Sequence, residues 1–171
     1  DLNNYNSVKN LIEKSKKKFG SLSLLINNAS KFENDNIAKL NIDSWDSHNN
    51  INLKAPLFLS KDFSKQMKKN APGLIINIID QRIFFPNPEF ISYTSSKQSL
   101  MWLTQTLAQA LSPQVRVCAI GPGPTLQGAR QSKKDFENQS LSTPLMVGSN
   151  PEEIYQAVRF IIDIPSFTGQ M

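Results

Sequence analysis

The sequence predicts an α/β domain built on a parallel sheet, and three observations carry that expectation. Helical and strand-like patterns alternate along the chain, the order that parallel sheets with covering helices produce. The strand-like runs are short and apolar almost throughout, as in strands covered on both faces. Polar or glycine-rich turns follow those runs, and in such sheets ligands sit outside the carboxyl ends of the strands.

Residues 4–19 read as one helix, with Val8, Leu11, Ile12 and Phe19 in an apolar stripe and Gly20 as its stop. Residues 22–26 form a buried strand that runs into the turn Asn27-Asn28-Ala29-Ser30. A long helix follows Asp43 or Ser44 and runs through Trp45, Ile51, Leu53 and Leu57 to about Lys69. Pro56 should perturb its first half, because it lacks a backbone N–H. Residues 74–79 give the next strand, and residues 81–90, with Pro86 and Pro88, a loop. A third helix covers residues 92–111. Val115–Ile120 is a strand that ends in Gly121-Pro122-Gly123-Pro124. Residues 126–147 are polar and irregular, suited to a loop over a site. Pro151 opens the last helix with Glu152 and Glu153 in its first turn. The chain opens on Asp1-Leu2 and stops at Thr168-Gly169-Gln170-Met171, inside what reads as an incoming strand, so it reads as one partial domain, residues 1–171, of a longer unit.

Composition narrows the function classes. The 171 residues are 39% hydrophobic, enough for a sizeable core. The net charge of +5 invites a nucleic-acid reading. Its densest run, Lys14, Lys16, Lys17 and Lys18, lies near a helix end, where the dipole favours cations. Arg130, Lys133 and Lys134 sit in a polar loop, and neither cluster interleaves the aromatics of a stacking platform. No nucleic-acid partner is expected. One cysteine, Cys118, and one histidine, His48, exclude a disulfide framework and a Cys or His metal cluster. No metal is expected, and no apolar run reaches the ~18 residues of a membrane span.

Tyr93 and Lys97 lie four apart at the start of a helix, so both side chains share one face. A phenol titrates near ~10, and a neighbouring ammonium favours its ionised form, which gives a tunable proton donor. Asp80 ends the preceding strand, thirteen residues before Tyr93. Close to Tyr93, it would form a coupled pair that keeps the phenol protonated.

Taken together, Asn27-Asn28-Ala29-Ser30, Asn52 in Asn52-Leu53-Lys54, Tyr93-Thr94-Ser95-Ser96-Lys97 and Pro122-Gly123 resemble the short-chain dehydrogenase/reductase family along the whole chain. The resemblance implies a Rossmann-type, doubly wound, three-layer α/β/α fold that here lacks its first strands and the end of its last. It implies Tyr93 as acid/base, Lys97 holding the nicotinamide ribose and lowering the Tyr93 pKa, and Asn52 supporting a water between Lys97 and solvent. Asp1 and Leu2 would edge the adenine pocket, Asn28 and Ala29 would meet the cofactor by backbone, and Pro122, Gly123 and Thr125 would border the nicotinamide. Asp80 stands where most of the family carries a serine that hydrogen-bonds the substrate carbonyl. A carboxylate there would repel an oxygen gaining negative charge, so the resemblance implies a poor fit to simple ketone reduction. It implies a better fit to a protonated substrate such as a C=N group, or an acid if the Asp80 pKa is raised. With Ser30-Lys31-Phe32, Asp80 resembles the pteridine reductase and dihydromonapterin/dihydrofolate reductase branch. There Phe32 would stack on a pterin and Ser30 would contact cofactor and pterin; the other reading of Phe32 is a core or loop-anchoring aromatic. Arg82 reads either as a substrate contact or as a surface residue, and Cys118 as a small buried residue.

These expectations amount to a cytoplasmic oxidoreductase using NADP(H) in preference to NAD(H), reducing a C=N bond of a pterin-type small molecule. Residues 126–147 would be its substrate loop. The alternatives are reduction of a ketone or 3-oxoacyl substrate, or a non-catalytic cofactor-binding scaffold. The helices at about 43–69 and 92–112 resemble the family's oligomer faces, which implies a homodimer or homotetramer, with Trp102 and Leu103 either there or buried in the monomer. Without partner strands, residues 22–27 would present an exposed apolar edge.

Overall fold

The computed structural model describes residues 1–68, 70–85, 87–128 and 131–171. The expected helix end at Lys69, the loop proline Pro86 and the basic residue Arg130 lie outside the described residues. Three parallel strands, β1 (Leu24–Asn27), β2 (Gly73–Ile78) and β3 (Val115–Ile120), form the sheet in the order β1-β2-β3. Leu24 pairs with Leu74, and Ile76 with Cys118. Each strand follows a helical segment, which is the connection a parallel sheet requires.

The pleat of β2 explains the three layers. Ile75 faces one way, into a core with Val8, Ile12, Leu59, Phe63, Val115 and Val117. Leu74 and Ile76 face the other way, against Cys118, Ile120 and Ile161. A strand with apolar residues on both faces needs helices on both sides, and helices supply both cores. Cys118 is buried, and burial pushes its thiol pKa up, so it is the small buried residue the sequence suggests. Strand β1 is the edge of this sheet: Leu24 and Ile26 are 36% and 40% exposed, in line with the apolar edge expected there.

Several helices differ from the sequence expectation. The first helix is two: α1 (Tyr5–Val8) and α2 (Leu11–Phe19), separated at Lys9 and Asn10. The break turns Val8 and Ile12 together into the core, while Leu11 and Phe19 stay exposed and do not join the stripe. The long second helix is three segments: α3 (Ile42–Asn49), a π-helical stretch (Asn50–Lys54) and α4 (Ala55–Lys65). Pro56 sits in the first turn of α4 and can donate no bond backwards, so the turn before it widens. That wide turn carries Asn52, fully buried.

Beyond β2, a single 3-10 turn, Gln81–Phe84, is capped by the side chain of Asp80, which accepts from Arg82 N. Helix α5 (Ile91–Leu111) follows, with Trp102 63% exposed on its outer face, which decides against burial within the monomer. Residues 126–147 are not irregular throughout. Ser132 caps a nine-residue helix, α6 (Lys133–Leu141), by accepting from Asp135 N, a cap signal within the polar run. Helix α7 (Pro151–Asp163) begins with a full capping box between Asn150 and Glu153.

After α7 the chain returns beside β3, where Gly169 N donates to Val117 O and Ala119 N donates to Gln170 O. These bonds follow the line of the expected final strand, although no strand is formed there. Arg116 on β3 ties this return together. Its Nη1 donates to the carbonyls of Ile161, Ile164 and Phe167 at 3.1, 3.1 and 2.8 Å. A cation at the carboxyl end of α7 also faces the negative end of the helix dipole. Arg116→Met should therefore lower the unfolding free energy by about 2 kcal/mol or more, since orphaned carbonyls keep their desolvation cost. Urea denaturation, read with α7 and Trp45 signals separately, checks this; an unchanged midpoint refutes it.

Candidate active site

At the carboxyl edge of the sheet a cavity of about 790 Å³ opens between the ends of β2 and β3, the start of α5, and α6. Its walls include Asn28, Ser30, Phe32, Asp80, Tyr93, Lys97, Pro122, Gly123 and Thr125. Nine residues singled out from sequence thus meet in one place.

The segment 31–35 builds the wall opposite the sheet, and three buried side chains hold it. Asn52 Oδ1 accepts from Lys31 N at 2.8 Å, and its Nδ2 donates to Lys31 O at 2.9 Å and to Ser96 Oγ at 3.0 Å. His48 Nε2 accepts from Glu33 N at 3.2 Å while its Nδ1 faces Ser44 O at 2.8 Å, which fixes the neutral tautomer with the proton on Nδ1. Asp35 is 2% exposed, and its Oδ1 accepts from Ser92 N at 3.1 Å. Its carbonyl accepts from Ile91 N. Asp35 thereby caps α5 from another element, at the turn where Phe90 offers no side-chain cap. Anchors at positions 31, 33 and 35 leave Phe32 and Asn34 to line the cavity.

On the other side, Tyr93 Oη donates to Asp80 Oδ2 at 2.7 Å. Asp80 Oδ1 accepts from Arg82 N at 2.8 Å, and Arg82 Nη1 reaches Asp80 Oδ2 at 3.4 Å. The Phe32 ring meets Tyr93 edge-on at 4.6 Å between centroids and stacks on Phe90 at 4.9 Å and 12°. The guanidinium of Arg82 lies 5.0 Å from the Phe32 centroid and 5.1 Å from that of Phe90. Lys97 Nζ donates to Ile78 O at 2.7 Å and lies 5.8 Å from the Tyr93 ring centroid.

The electrostatics correct one expectation and agree with another. Burial pushes the Tyr93 phenol well above its usual range, the charge of Asp80 and the hydrogen bond to it add to that, and Arg82 pulls the other way. Lys97 is therefore not what tunes this phenol; its ammonium is turned to a strand-end carbonyl. Asp80 keeps Tyr93 protonated, as the coupled-pair argument expects. Burial also pushes Lys97 down, to about 8, against the pull of Asp80.

Not every expected site residue gathers here. Asn52 lies beneath the cavity, and its side chain holds the Lys31 backbone and Ser96. Ala29 is exposed beside the cavity wall. Asp1 accepts from Asn3 N, and Leu2 packs against the first core, so the geometry leaves the adenine-side expectation for both apart from the cavity. Phe90, Asp35 and His48 were missed by the motif reading. None of the three carries a local signal; each reaches the site through tertiary contacts.

Three layers, a parallel sheet and a Tyr-Lys pair at its carboxyl edge define a nucleotide-type oxidoreductase architecture. The chain belongs to the short-chain dehydrogenase family, whose model matches residues 1–138. An uncharacterized oxidoreductase of Thermotoga maritima is 35% identical over 146 residues, covering 85% of this chain and 57% of that protein. The chain thus spans little more than half the length of that relative. The 3-oxoacyl-[acyl-carrier-protein] reductase FabG of the same organism is 28% identical, covering 96% of this chain and 69% of FabG. Among solved structures, FolM alternative dihydrofolate reductase 1 from Brucella canis, complexed with NADP, superposes with a TM-score of 0.95. It is 43% identical and covers 100% of this chain and 68% of that one. Among the described residues, no helix is long and apolar enough to cross a membrane.

The Lys97 value yields a pH prediction. Below pH 8 the amine is an ammonium; above it, the charge is lost while Tyr93 stays protonated. The alkaline limb of kcat/KM, which reports the free enzyme, should therefore break near 8. Lys97→Arg, whose guanidinium keeps its charge, should remove that break. A wild-type profile flat to pH 10 would contradict the assignment.

Proposed function

We propose that this chain carries the catalytic cavity of an NADP(H)-dependent reductase that adds hydride across a C=N bond of a pterin-type ring, with Tyr93 as proton donor. The single observation that carries the reading is the Asp80–Tyr93 hydrogen bond with the Phe32 ring beside it: a carboxylate acceptor, a protonated phenol and an aromatic wall in one cavity. The likeness to a FolM protein complexed with NADP supports both the cofactor and the substrate class.

The residues present fit the nicotinamide-ribose half of that cofactor. Lys97, Asn28, Pro122, Gly123 and Thr125 share one wall, and the ammonium is aimed at the strand-end carbonyl of Ile78, where a ribose hydroxyl would compete for it. When bound, the nicotinamide supplies the hydride. Asp80 accepts hydrogen bonds from the ring's N–H groups and so fixes its edge. Phe32 offers one face for stacking, at 46% exposure. Tyr93 passes its proton to the ring nitrogen as the adjacent carbon takes the hydride, then regains one from solvent. Ser30, whose Oγ donates to Asn52 Oδ1 at 3.2 Å, stands where cofactor and substrate would both reach it. The α6 segment within residues 126–147 closes the cavity with Gln131, Phe136 and Gln139 and is the substrate loop of this reading. A homodimer or homotetramer through the outer face of α5, where Trp102 is exposed, belongs to the same proposal.

The second reading, reduction of a 3-oxoacyl or ketone group, has the FabG likeness in its favour. Asp80 separates the two, because a carboxylate opposes a developing oxyanion. The complete gene product, assayed with NADPH on dihydropterins, dihydrofolate and a 3-oxoacyl thioester, tests the choice. The pterin reading expects turnover of the first two, loss on Asp80→Ser, and a fall of about a hundredfold or more in kcat for Tyr93→Phe. Turnover of the thioester alone, raised by Asp80→Ser, would establish the second. Unchanged physiological activity in Tyr93→Phe would favour the scaffold alternative.

A further inference from the structure

We propose that Arg82 is a positioning residue that holds Asp80 as an oriented, charged acceptor, so that the cavity selects a flat ring presenting N–H donors over a neutral carbonyl substrate. The selection half rests on the pterin reading above; the positioning half does not.

The geometry fixes the guanidinium from two directions. On one side it meets Asp80, whose two oxygens take up Arg82 N, Arg82 Nη1 and Tyr93 Oη. On the other it rests on the rings of Phe32 and Phe90 at 5.0 and 5.1 Å. A surface arginine samples many rotamers, but one held within about 5 Å of two aromatic ring centroids and bonded to a carboxylate at its own turn does not. Its side chain is only 23% exposed, and that of Asp80 14%.

The backbone bond from Arg82 N already sets one oxygen of Asp80. The guanidinium meets the other, Nη1 to Oδ2 at 3.4 Å. Among the described residues, Tyr93 and Lys97, both on α5, also feel this carboxylate. Lys97 hydrogen-bonds to Ile78 O, while Arg82 forms the ion pair with Asp80. Without the guanidinium, Oδ2 loses one of the two donors that aim it, and the preference for donor-bearing rings would weaken. Phe32 would also lose a neighbour that restrains its ring.

The test uses the full-length protein with NADPH, comparing wild type, Arg82→Met and Arg82→Lys on dihydrobiopterin and on a small 3-oxoester. For Arg82→Met, the KM for dihydrobiopterin should rise about tenfold or more while kcat at neutral pH changes less than about threefold. Arg82→Lys, keeping the charge without the planar fork, should recover only part of the KM.

An unchanged KM for dihydrobiopterin in Arg82→Met overturns the proposal. So does an equal fall in kcat/KM on both substrates, the mark of a merely structural role. If Arg82→Met fails to fold, Arg82→Lys decides, since recovered folding with a wild-type KM leaves the fork no part. If wild type reduces only the oxoester, the pterin reading fails by itself. Arg82 is then judged on the oxoester: Arg82→Met must move its KM with kcat little changed and Arg82→Lys must recover part of that change, and an unmoved KM sinks the positioning role.

Discussion

A carboxylate held against a phenol in a half-dry cavity is the contact on which the rest of this site depends. Water would weaken a 2.7 Å bond between Tyr93 and Asp80 by competing for both partners, so its worth comes from burial. Burial then creates its own demand: a carboxylate this poorly solvated needs a cation or a donor set. Arg82 meets that demand from the same turn, and the aromatic pair Phe32 and Phe90 fixes Arg82 in place. Each element of the wall therefore follows from keeping one negative charge in position beside one protonated hydroxyl.

Precision in that wall comes from polar groups that never enter the cavity. Asn52 and His48 pin positions 31 and 33 of an extended segment, and Asp35 within that segment bonds the first turn of α5. The π-helical stretch before Pro56 is what brings Asn52 inward far enough to reach Lys31. Asp35 joins the segment bearing Phe32 to the first turn of the helix bearing Tyr93, which ties the two sides of the cavity together. Such fully satisfied buried networks rigidify a site more than apolar packing alone.

The parts of this architecture legible in the sequence are those written in local periodicity. Tyr93 and Lys97 share a face because they lie one helical turn apart, and Asp80 sits at a strand end because five apolar residues precede it. The strand Val115–Ile120 was legible to the residue, its run of small and branched side chains bounded by polar turns. The break at Lys9 and Asn10 was not, since a continuous 3.6-residue stripe fits either one helix or two, and only tertiary packing of Val8 with Ile12 decides. Helix α6 hid in a polar run, because a solvent-facing helix carries little apolar periodicity to detect. The sequence carried both signs of the Tyr93 shift, a lowering by Lys97 and a raising by Asp80, and spacing could not choose: it gives proximity of Lys97 to Tyr93 but not where the ammonium points. Asp80 does open a turn with Arg82 two residues on, a local pattern in which the pairing could have been found.

The charges around the phenol acquire a simple logic once Arg82 is included. With Asp80 negative, Arg82 and Lys97 positive and Tyr93 neutral, the cluster carries one net positive charge below pH 8. Ionising Tyr93 would bring it to neutrality, yet burial and the charge of Asp80 outweigh the pull of Arg82 and keep the phenol protonated. The same arithmetic shows why a Ser at position 80 would suit different chemistry: it would remove the negative charge, leave both cations free to meet an oxyanion on the substrate, and make the tyrosine easier to ionise at rest.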